Sequence, residues 1–362
     1  MIDYVFILAG GSGTRLWPAS TAAKPKQFFS LYGKECLLHV SLKRAEALKP
    51  SAGIVIITLE DQIQALTPAL QDYGKSSVPL FVLPEPCARN TAPALATSAF
   101  WALNRSGGEP PVILVMTADH LIEPLHLFTA DAEKAAVLAE KGYLVTFGID
   151  PTRPETGYGY IELGEPLEPG YHVASFREKP DEKTAESFVE TGRFLWNSGM
   201  FCFTAHRFME ELETHAPEVR QPLMSLTDQK PEDTQEKGYT FIMTGEKVRR
   251  IYETLPSVSI DYAVMEHSDR AAVVKAAFSW NDVGSWDVVA ELLQNRETRG
   301  PVFAARAENN FVYADLPVAL CGVEDLIVVA QNGVVLVCRK GESQQVKTVL
   351  REVEKKGYKD LL

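Results

Sequence analysis

The 362-residue chain has no long uninterrupted hydrophobic run. Crossing a bilayer takes about 20 apolar residues in a row, so no membrane span is expected. No basic segment precedes the short apolar run near the N-terminus (MIDYVFILAGG), and no signal peptide is expected either. Positive charge is in deficit. The chain has 36 Lys and Arg against 48 Asp and Glu, a formal net charge of −12. That balance argues against a nucleic-acid partner or an anionic membrane surface, but leaves room for a few cations gathered in one cleft. Cysteines are few, odd in number and scattered. Cys36, Cys87, Cys202, Cys321 and Cys338 form no C-x-x-C pair. Neither a zinc site nor a disulfide framework is expected, and a reducing cytoplasm is the expected compartment. No strong internal repeat is visible.

What is present is ordinary for a globular chain: 46% hydrophobic and 23% charged residues. The length suggests one large domain and a smaller one. Apolar runs suited to buried parallel strands recur at Val5–Ala9, Gly53–Thr58, Leu80–Leu83, Val112–Met116 and Tyr143–Phe147. Helical patterns lie between or after them, at Leu37–Leu48, Asp61–Tyr73, Thr91–Leu103 and Phe128–Lys141. Alternation of this kind predicts an α/β fold with a parallel sheet. Beyond Phe147 the rhythm loosens. A strand is expected over YHVASFREKP, a helix over Asp181–Glu190, and a loop leading into a strand over FLWNSGMFCF. Helical polar stretches are expected over Ala205–Leu255, and a helix over Trp286–Arg296. From about Gly300 short β runs (Asn310–Ala314, Val318–Cys321, Leu326–Ala330, Val334–Arg339) predict a small β domain, closed by a charged helix over Glu342–Lys356.

The stretch LAGGSGTRLWP carries the first chemical signal. Three readings compete for it. A dinucleotide fingerprint would need G-x-G-x-x-G. Gly11 and Gly13 supply two positions, but Leu16 stands at the third, and no Walker G-K-[ST] follows. A Gly-rich turn without a ligand is the second reading. The third is a phosphate loop. Glycines let backbone N–H groups approach phosphate oxygens, Arg15 adds a permanently charged planar donor, and Pro25-Lys26 adds a second cation. Asp119 closes the Val112–Met116 strand, at the sheet edge where α/β ligands bind, though an aspartate there also serves as a turn or helix cap.

LAGGSGTRLWP with PKQF resembles the signature of sugar-1-phosphate nucleotidyltransferases, and Trp17 with PKQF resembles the mannose-1-phosphate guanylyltransferase branch. The likeness continues in order through EPCARNTAPAL, TADH, FGIDPTRPETGYGYI, FREKP, WNSGMF, SIDYAVME and WNDVGSW, over about 300 residues. It implies a Rossmann-like nucleotidyltransferase domain with a mixed, mainly parallel sheet (1–298) and a small C-terminal β domain resembling a short left-handed β-helix (299–362). The implied reaction joins GTP and α-D-mannose 1-phosphate into GDP-mannose and pyrophosphate, by in-line attack on the α-phosphorus. The same chemistry on glucose 1-phosphate with UTP or dTTP stays open, as does a non-catalytic nucleotide-sensing relative.

The resemblance also implies roles. Arg15, Lys26 and Lys179 would be catalytic, with Arg15 on the departing pyrophosphate. Leu8, Ala9, Gly10, Gly11, Gly13 and Thr14 would bind the nucleotide, with Glu85, Arg89, Asn90 and Thr91 on its base or ribose. Asn90 and Thr91 also make a good helix N-cap. Gly157, Tyr158, Glu178, Lys179 and Asn197 would bind the sugar phosphate, and Asp119 and Asp282 would hold Mg²⁺. His120 reads as a neighbour of the site rather than a ligand, since Mg²⁺ favours oxygen. Thr117, Arg177 and the missing arginine in STAAKPK depart from the branch's usual residues without removing an assigned charge. No isomerase domain is expected after Gly300, and the β domain is expected to mediate a homodimer.

Overall fold

The computed structural model describes residues 1–11, 13–31, 35–107, 109–226, 232–236, 238–293 and 300–361. It forms two compact units, neither contiguous in sequence. The first holds residues 1–10, 41–118 and 122–280; the second holds 11–40, 119–121 and 281–362.

The first unit is built on an eleven-stranded sheet. In chain order its strands are β1 (Tyr4–Leu8), β2 (Gly53–Leu59), β3 (Leu80–Glu85), β4 (Val112–Thr117), β5 (Leu144–Ile149), β6 (Tyr160–Leu167), β7 (Gly170–Arg177), β8 (Phe194–Thr204), β9 (Glu232–Glu236), β10 (Tyr239–Thr244) and β11 (Ala271–Lys275). Their spatial order is β9-β10-β3-β2-β1-β4-β8-β5-β11-β7-β6. The run from β10 to β4 is parallel throughout, and β8 lies antiparallel to both its sheet neighbours β4 and β5. Central strands are apolar on both faces because helices cover both sides. Val5, Phe6, Ile7, Ile54, Val55 and Ile56 are completely buried. The helices are α1 (Leu37–Ala47), whose C-terminal part alone lies in this unit, α2 (Ile63–Tyr73), α3 (Thr91–Arg105), α4 (Leu125–Glu140), α5 (Glu182–Thr191), α6 (Ala205–His215), α7 (Pro217–Met224) and α8 (Glu246–Thr254). Trp101 of α3 packs on Tyr4 and Phe81, and Phe208 of α6 stacks on Phe203.

Two expectations need correction here. The span 205–255 is not helical throughout: the hairpin β9–β10 interrupts it and adds an edge to the sheet. Its outer strand, EDTQE, is polar, as exposed edges tend to be, and so lacks a strand's alternating signature. FLWNSGMFCF is strand throughout rather than loop then strand, and a register shift against β5 absorbs its irregular centre.

The second unit contains α9 (Trp286–Leu293), five short strands and α10 (Val346–Lys355). The last two residues expected in a helix over 286–296, with residue 294, lie outside the described residues, as do both sides of the 298/299 boundary. The strands are β12 (Val302–Ala305), β13 (Phe311–Ala314), β14 (Val318–Cys321), β15 (Leu326–Gln331) and β16 (Val334–Arg339). The sequence reading missed β12. Parallel pairing here keeps one offset of sixteen residues: Val302 meets Val318, Glu308 meets Glu324, and Phe311 meets Ile327. A constant parallel offset means that the chain coils back over itself, one coil every sixteen residues, before β16 folds back antiparallel on β15. This coil packs on the loop that follows β1. Leu16, Trp17, Phe29, Trp286, Tyr313, Ile327 and Val346 share one core cluster. Trp286 donates its indole N–H to the Trp17 carbonyl (2.8 Å), and Asn332 donates to the Pro18 carbonyl (2.8 Å).

Candidate active site

In the second unit the glycine loop is shaped by close approach. Gly13 has φ +57°, and a Cβ there would lie 2.0 Å from the Lys26 Cβ. Only glycine allows the loop to lie against that residue. Thr14–Leu16 then makes one 3₁₀ turn. Leu16, at the position where a third glycine would stand, is fully buried among Trp17 and its neighbours, which anchors the turn. Arg15 stays exposed. Lys26 is 7% exposed; its Nζ donates to Asp119 Oδ2 (2.7 Å) and to the backbone carbonyl of Asp282. Burial alone would raise the pKa of Asp119, but Lys26 and then His120 outweigh it and hold the carboxyl below the usual aspartate range. His120 Nε2 lies 3.9 Å from Asp119 Oδ1. Asp282 Oδ1 accepts from the Gly284 N–H (3.1 Å).

These groups line one cavity of about 400 Å³: Gly11, Gly13, Thr14, Arg15, Lys26, Asp119, His120, Asp282, Gly284 and Lys347. Asp119 and Asp282 are far apart in sequence and meet there. No cluster of three His, Cys, Asp or Glu side chains suited to a metal exists among the described residues. Two carboxylates remain as hard oxygen donors. That donor set fits an ion that completes its shell with water and substrate phosphate, as Mg²⁺ does, and does not fit a self-contained protein cage. Lys347 belongs to α10 and was not anticipated; Arg15 beside it holds its ammonium below the usual lysine range.

The first unit carries the remaining candidates. Leu8 ends β1 and is half-buried. The Ala9 N–H donates to the Ile57 carbonyl (2.7 Å), and the Ala9 carbonyl accepts from the Thr58 hydroxyl. Gly10 lies against Glu85, whose Oε2 would be 3.2 Å from an added Cβ. Glu85 ends β3, is buried, and accepts a short hydrogen bond from the Tyr252 hydroxyl. Burial pushes its carboxyl up to about 7, against the opposing effect of that hydrogen bond. Arg89 donates to the Glu253 carbonyl at the end of α8. Asn90 (φ +65°) caps α3 by accepting from the Thr91 N–H (2.8 Å), and Thr91 Oγ1 accepts from the Ile260 N–H. The expected N-cap is therefore present, and three of these side chains already tie α3 and α8 to their surroundings.

Around Asn197 the packing is tight. Its Oδ1 accepts from the Thr146 hydroxyl (2.8 Å) and the Gly199 N–H (3.2 Å), and its Nδ2 donates to Asp261 Oδ1 (2.9 Å). Asn197 therefore spends its acceptor within the protein and is held in one orientation. Glu178 pairs with Lys179, whose φ of +46° places it in the sparsely populated left-handed region. Gly157 donates to Glu155 Oε1 (3.1 Å). The Tyr158 ring lies edge-on between Trp196 and Trp280, at 5.3 and 5.2 Å. The glycine that permits the cluster is Gly159, which the sequence reading passed over. A Cβ on Gly159 would lie 2.4 Å from Glu178 Oε2 and 3.3 Å from Asn197 Cβ. Asp261 was passed over as well, although SIDYAVME contains it. It opens a single π-helical turn, Asp261–Met265, a rare form that tends to mark functional positions. Burial, then the nearby Glu178 charge, pushes its carboxyl up to about 6.

An α/β sheet with a glycine loop after β1, and two loop cations and two carboxylates in one cavity, suit an enzyme that handles nucleoside phosphates. A family model described as nucleotidyl transferase matches residues 4–299, and one described as a MannoseP isomerase/GMP-like β-helix domain matches residues 302–353. The chain belongs to the nucleotidyl transferase family, in its mannose-1-phosphate guanylyltransferase branch. It is 37% identical over 366 residues to mannose-1-phosphate guanylyltransferase RfbM of Salmonella typhimurium, covering 98% of this chain and 73% of that protein. It is 36% identical over 368 residues to the mannose-1-phosphate guanylyltransferase of Escherichia coli, covering 98% and 74%. A crystal structure from Thermus thermophilus, described as a mannose-1-phosphate geranyltransferase, superposes with a TM-score of 0.83 at 31% identity, over 98% of this chain and all of that one.

Proposed function

We propose that the protein transfers GMP from GTP to α-D-mannose 1-phosphate, releasing pyrophosphate and forming GDP-mannose. The observation that carries the reading is the single cavity where the glycine loop, Arg15 and Lys26 meet Asp119 and Asp282. Both substrates are anions, so the protein must offset their repulsion and align them; no covalent nucleophile is needed. The N–H groups of Gly11, Gly13 and Thr14 bind phosphate oxygens, and Arg15 takes up charge on the departing pyrophosphate. Lys26 is held by Asp119 and so stands at a fixed point beside the α-phosphate. Asp119 and Asp282 would hold Mg²⁺, which when bound offsets charge on the α-phosphate.

Glu85 and Gly10 take the guanine, with Arg89, Asn90 and Thr91 setting the backbone around it. A Glu85 carboxylate suits the guanine N1–H and exocyclic amine, donors that uracil and thymine do not present as a pair. Lys179 binds the sugar phosphate. Glu178, Asn197, Gly157 and Tyr158 contact the sugar. The division at 298/299 into a catalytic and a β domain belongs to the same reading. So does a homodimer through the C-terminal coil, where Phe303, Val335 and Val337 are exposed apolar residues. A reducing compartment accords with five free cysteines. Among the described residues no helix is long and apolar enough to cross a membrane.

The test is pyrophosphate release with each of GTP, ATP, UTP and dTTP against mannose 1-phosphate and glucose 1-phosphate. The GTP and mannose 1-phosphate pair is expected to give the highest kcat/KM. Equal or faster turnover of UTP or dTTP would refute the guanine assignment.

A further inference from the structure

We propose that Lys347, on the C-terminal helix α10, is a third cation of the triphosphate site and binds the terminal phosphates that leave as pyrophosphate. The proposal rests on the nucleotidyltransferase reading above and deepens it. Lys347 lines the same cavity as Gly11, Gly13, Thr14, Arg15 and Asp282. Its place there is built in. Val346, next to it, is 2% exposed and belongs to the core cluster of Leu16 and Trp17. Just ahead of α10, Ser343 is fully buried; it donates from backbone and hydroxyl to Asp287 Oδ2 and accepts from the Asp287 N–H. Beyond the helix, Trp17 donates its indole N–H to the Leu361 carbonyl (2.6 Å). The loop that carries Arg15 and the helix that carries Lys347 are thus pinned to each other at both ends.

Charge balance gives this arrangement a purpose. Lys26 already has a partner in Asp119. Arg15 acts on Lys347 as the strongest neighbouring charge, with Arg351, one turn along α10, adding to it. Like charges brought onto one cavity wall repel, and an anion placed between them relieves that repulsion. A nucleoside triphosphate carries about four negative charges, most of them on the two phosphates that depart, and charge-assisted hydrogen bonds from Lys347 would meet them there. Lys347 at the phosphate loop also gives the C-terminal coil a part in catalysis: it delivers the helix that completes the site.

The test is equilibrium binding of inorganic pyrophosphate, with GMP as the control lacking the terminal phosphates, on the full chain with Mg²⁺ present. Lys347→Gln is expected to weaken pyrophosphate binding about tenfold and raise the KM for GTP similarly, with GMP binding unchanged and the melting temperature that of the unsubstituted protein. Lys347→Arg is expected to restore most of the loss. Pyrophosphate binding by Lys347→Gln equal to that of the unsubstituted protein overturns the proposal. Equal weakening of GMP and pyrophosphate overturns it too, since that marks a structural role. Failure of the unsubstituted protein to turn over GTP instead refutes the guanylyltransferase reading.

Discussion

Replacing Gly13 with alanine tests how the glycine loop sets Lys26, the lysine proposed to act in catalysis. The added Cβ would sit 2.0 Å from the Lys26 Cβ, and 3.0 and 3.1 Å from the Lys26 backbone N and Cα. Carbon atoms rest about 3.5–4 Å apart, so the two segments must separate by about 1.5 Å. Rotating the lysine side chain gives no relief, because the colliding atoms are its Cβ and backbone. The φ of +57° adds about 1 kcal/mol for any L-residue other than glycine. If the loop keeps its path, overpacking adds about 1–3 kcal/mol, and the total loss of stability is about 2–4 kcal/mol. If the loop yields instead, Lys26 leaves its 2.7 Å contact with Asp119, and a displacement of about 1 Å costs about 100-fold in rate. The two losses trade against each other, so both are measured: urea unfolding midpoint and kcat/KM for GTP. Gly11→Ala is the control. Nothing lies within 4 Å of an added Cβ there, so its stability is expected within about 0.5 kcal/mol of the unsubstituted protein. A Gly13→Ala protein with both stability and kcat/KM near normal would refute the claim that this close approach positions Lys26.

Other outcomes follow from the same geometry. Glu85 titrates near 7 in the fold, against 4.5 when unfolded, so the unfolded chain sheds its proton first as pH rises. Stability conferred by the protonated form is complete below about pH 4.5 and is lost as pH rises through about 7. Glu85→Gln keeps an acceptor for Tyr252 and removes that dependence. Its unfolding midpoint should gain on the unsubstituted protein between pH 4.5 and 7.5, and parallel pH curves would contradict this. Asp282→Asn keeps an acceptor for the Gly284 N–H but removes the negative charge proposed to hold Mg²⁺. Its kcat should fall at least ~100-fold with an unchanged melting temperature; unaltered Mg²⁺-dependent turnover would dismiss the metal role. Asp261→Ala strips the partner from the Asn197 amide. The KM for mannose 1-phosphate should rise about tenfold while the KM for GTP holds; a rise in both would point to general disruption.

Much of this was legible in the sequence, for reasons that differ from element to element. Strands β1 to β5 announced themselves because a parallel strand buried on both faces is a plain apolar run. The hairpin β9–β10 did not, since an exposed edge strand such as EDTQE looks like any polar segment. Arg15, Lys26, Asp119 and Asp282 were found through motifs, and the structure brings all four to one cavity. Lys347 was lost among the charges of an amphipathic helix, where a solvated lysine and a phosphate-facing one read alike. Gly159 and Asp261 were passed over because close approach and a π-helical turn are properties of packing. Leu16 was legible as a departure from a glycine pattern, but only its burial beside Trp17 shows what the departure does.

The most direct test of the central claim is the phosphorus chemistry of the complete reaction. Purified protein is incubated with GTP, mannose 1-phosphate and Mg²⁺ and followed by ³¹P NMR. The account predicts that the diphosphate resonances of GDP-mannose and an equimolar amount of pyrophosphate grow together as both substrates decline. Release of orthophosphate with GDP, or no diphosphate sugar while GTP is consumed, would contradict it.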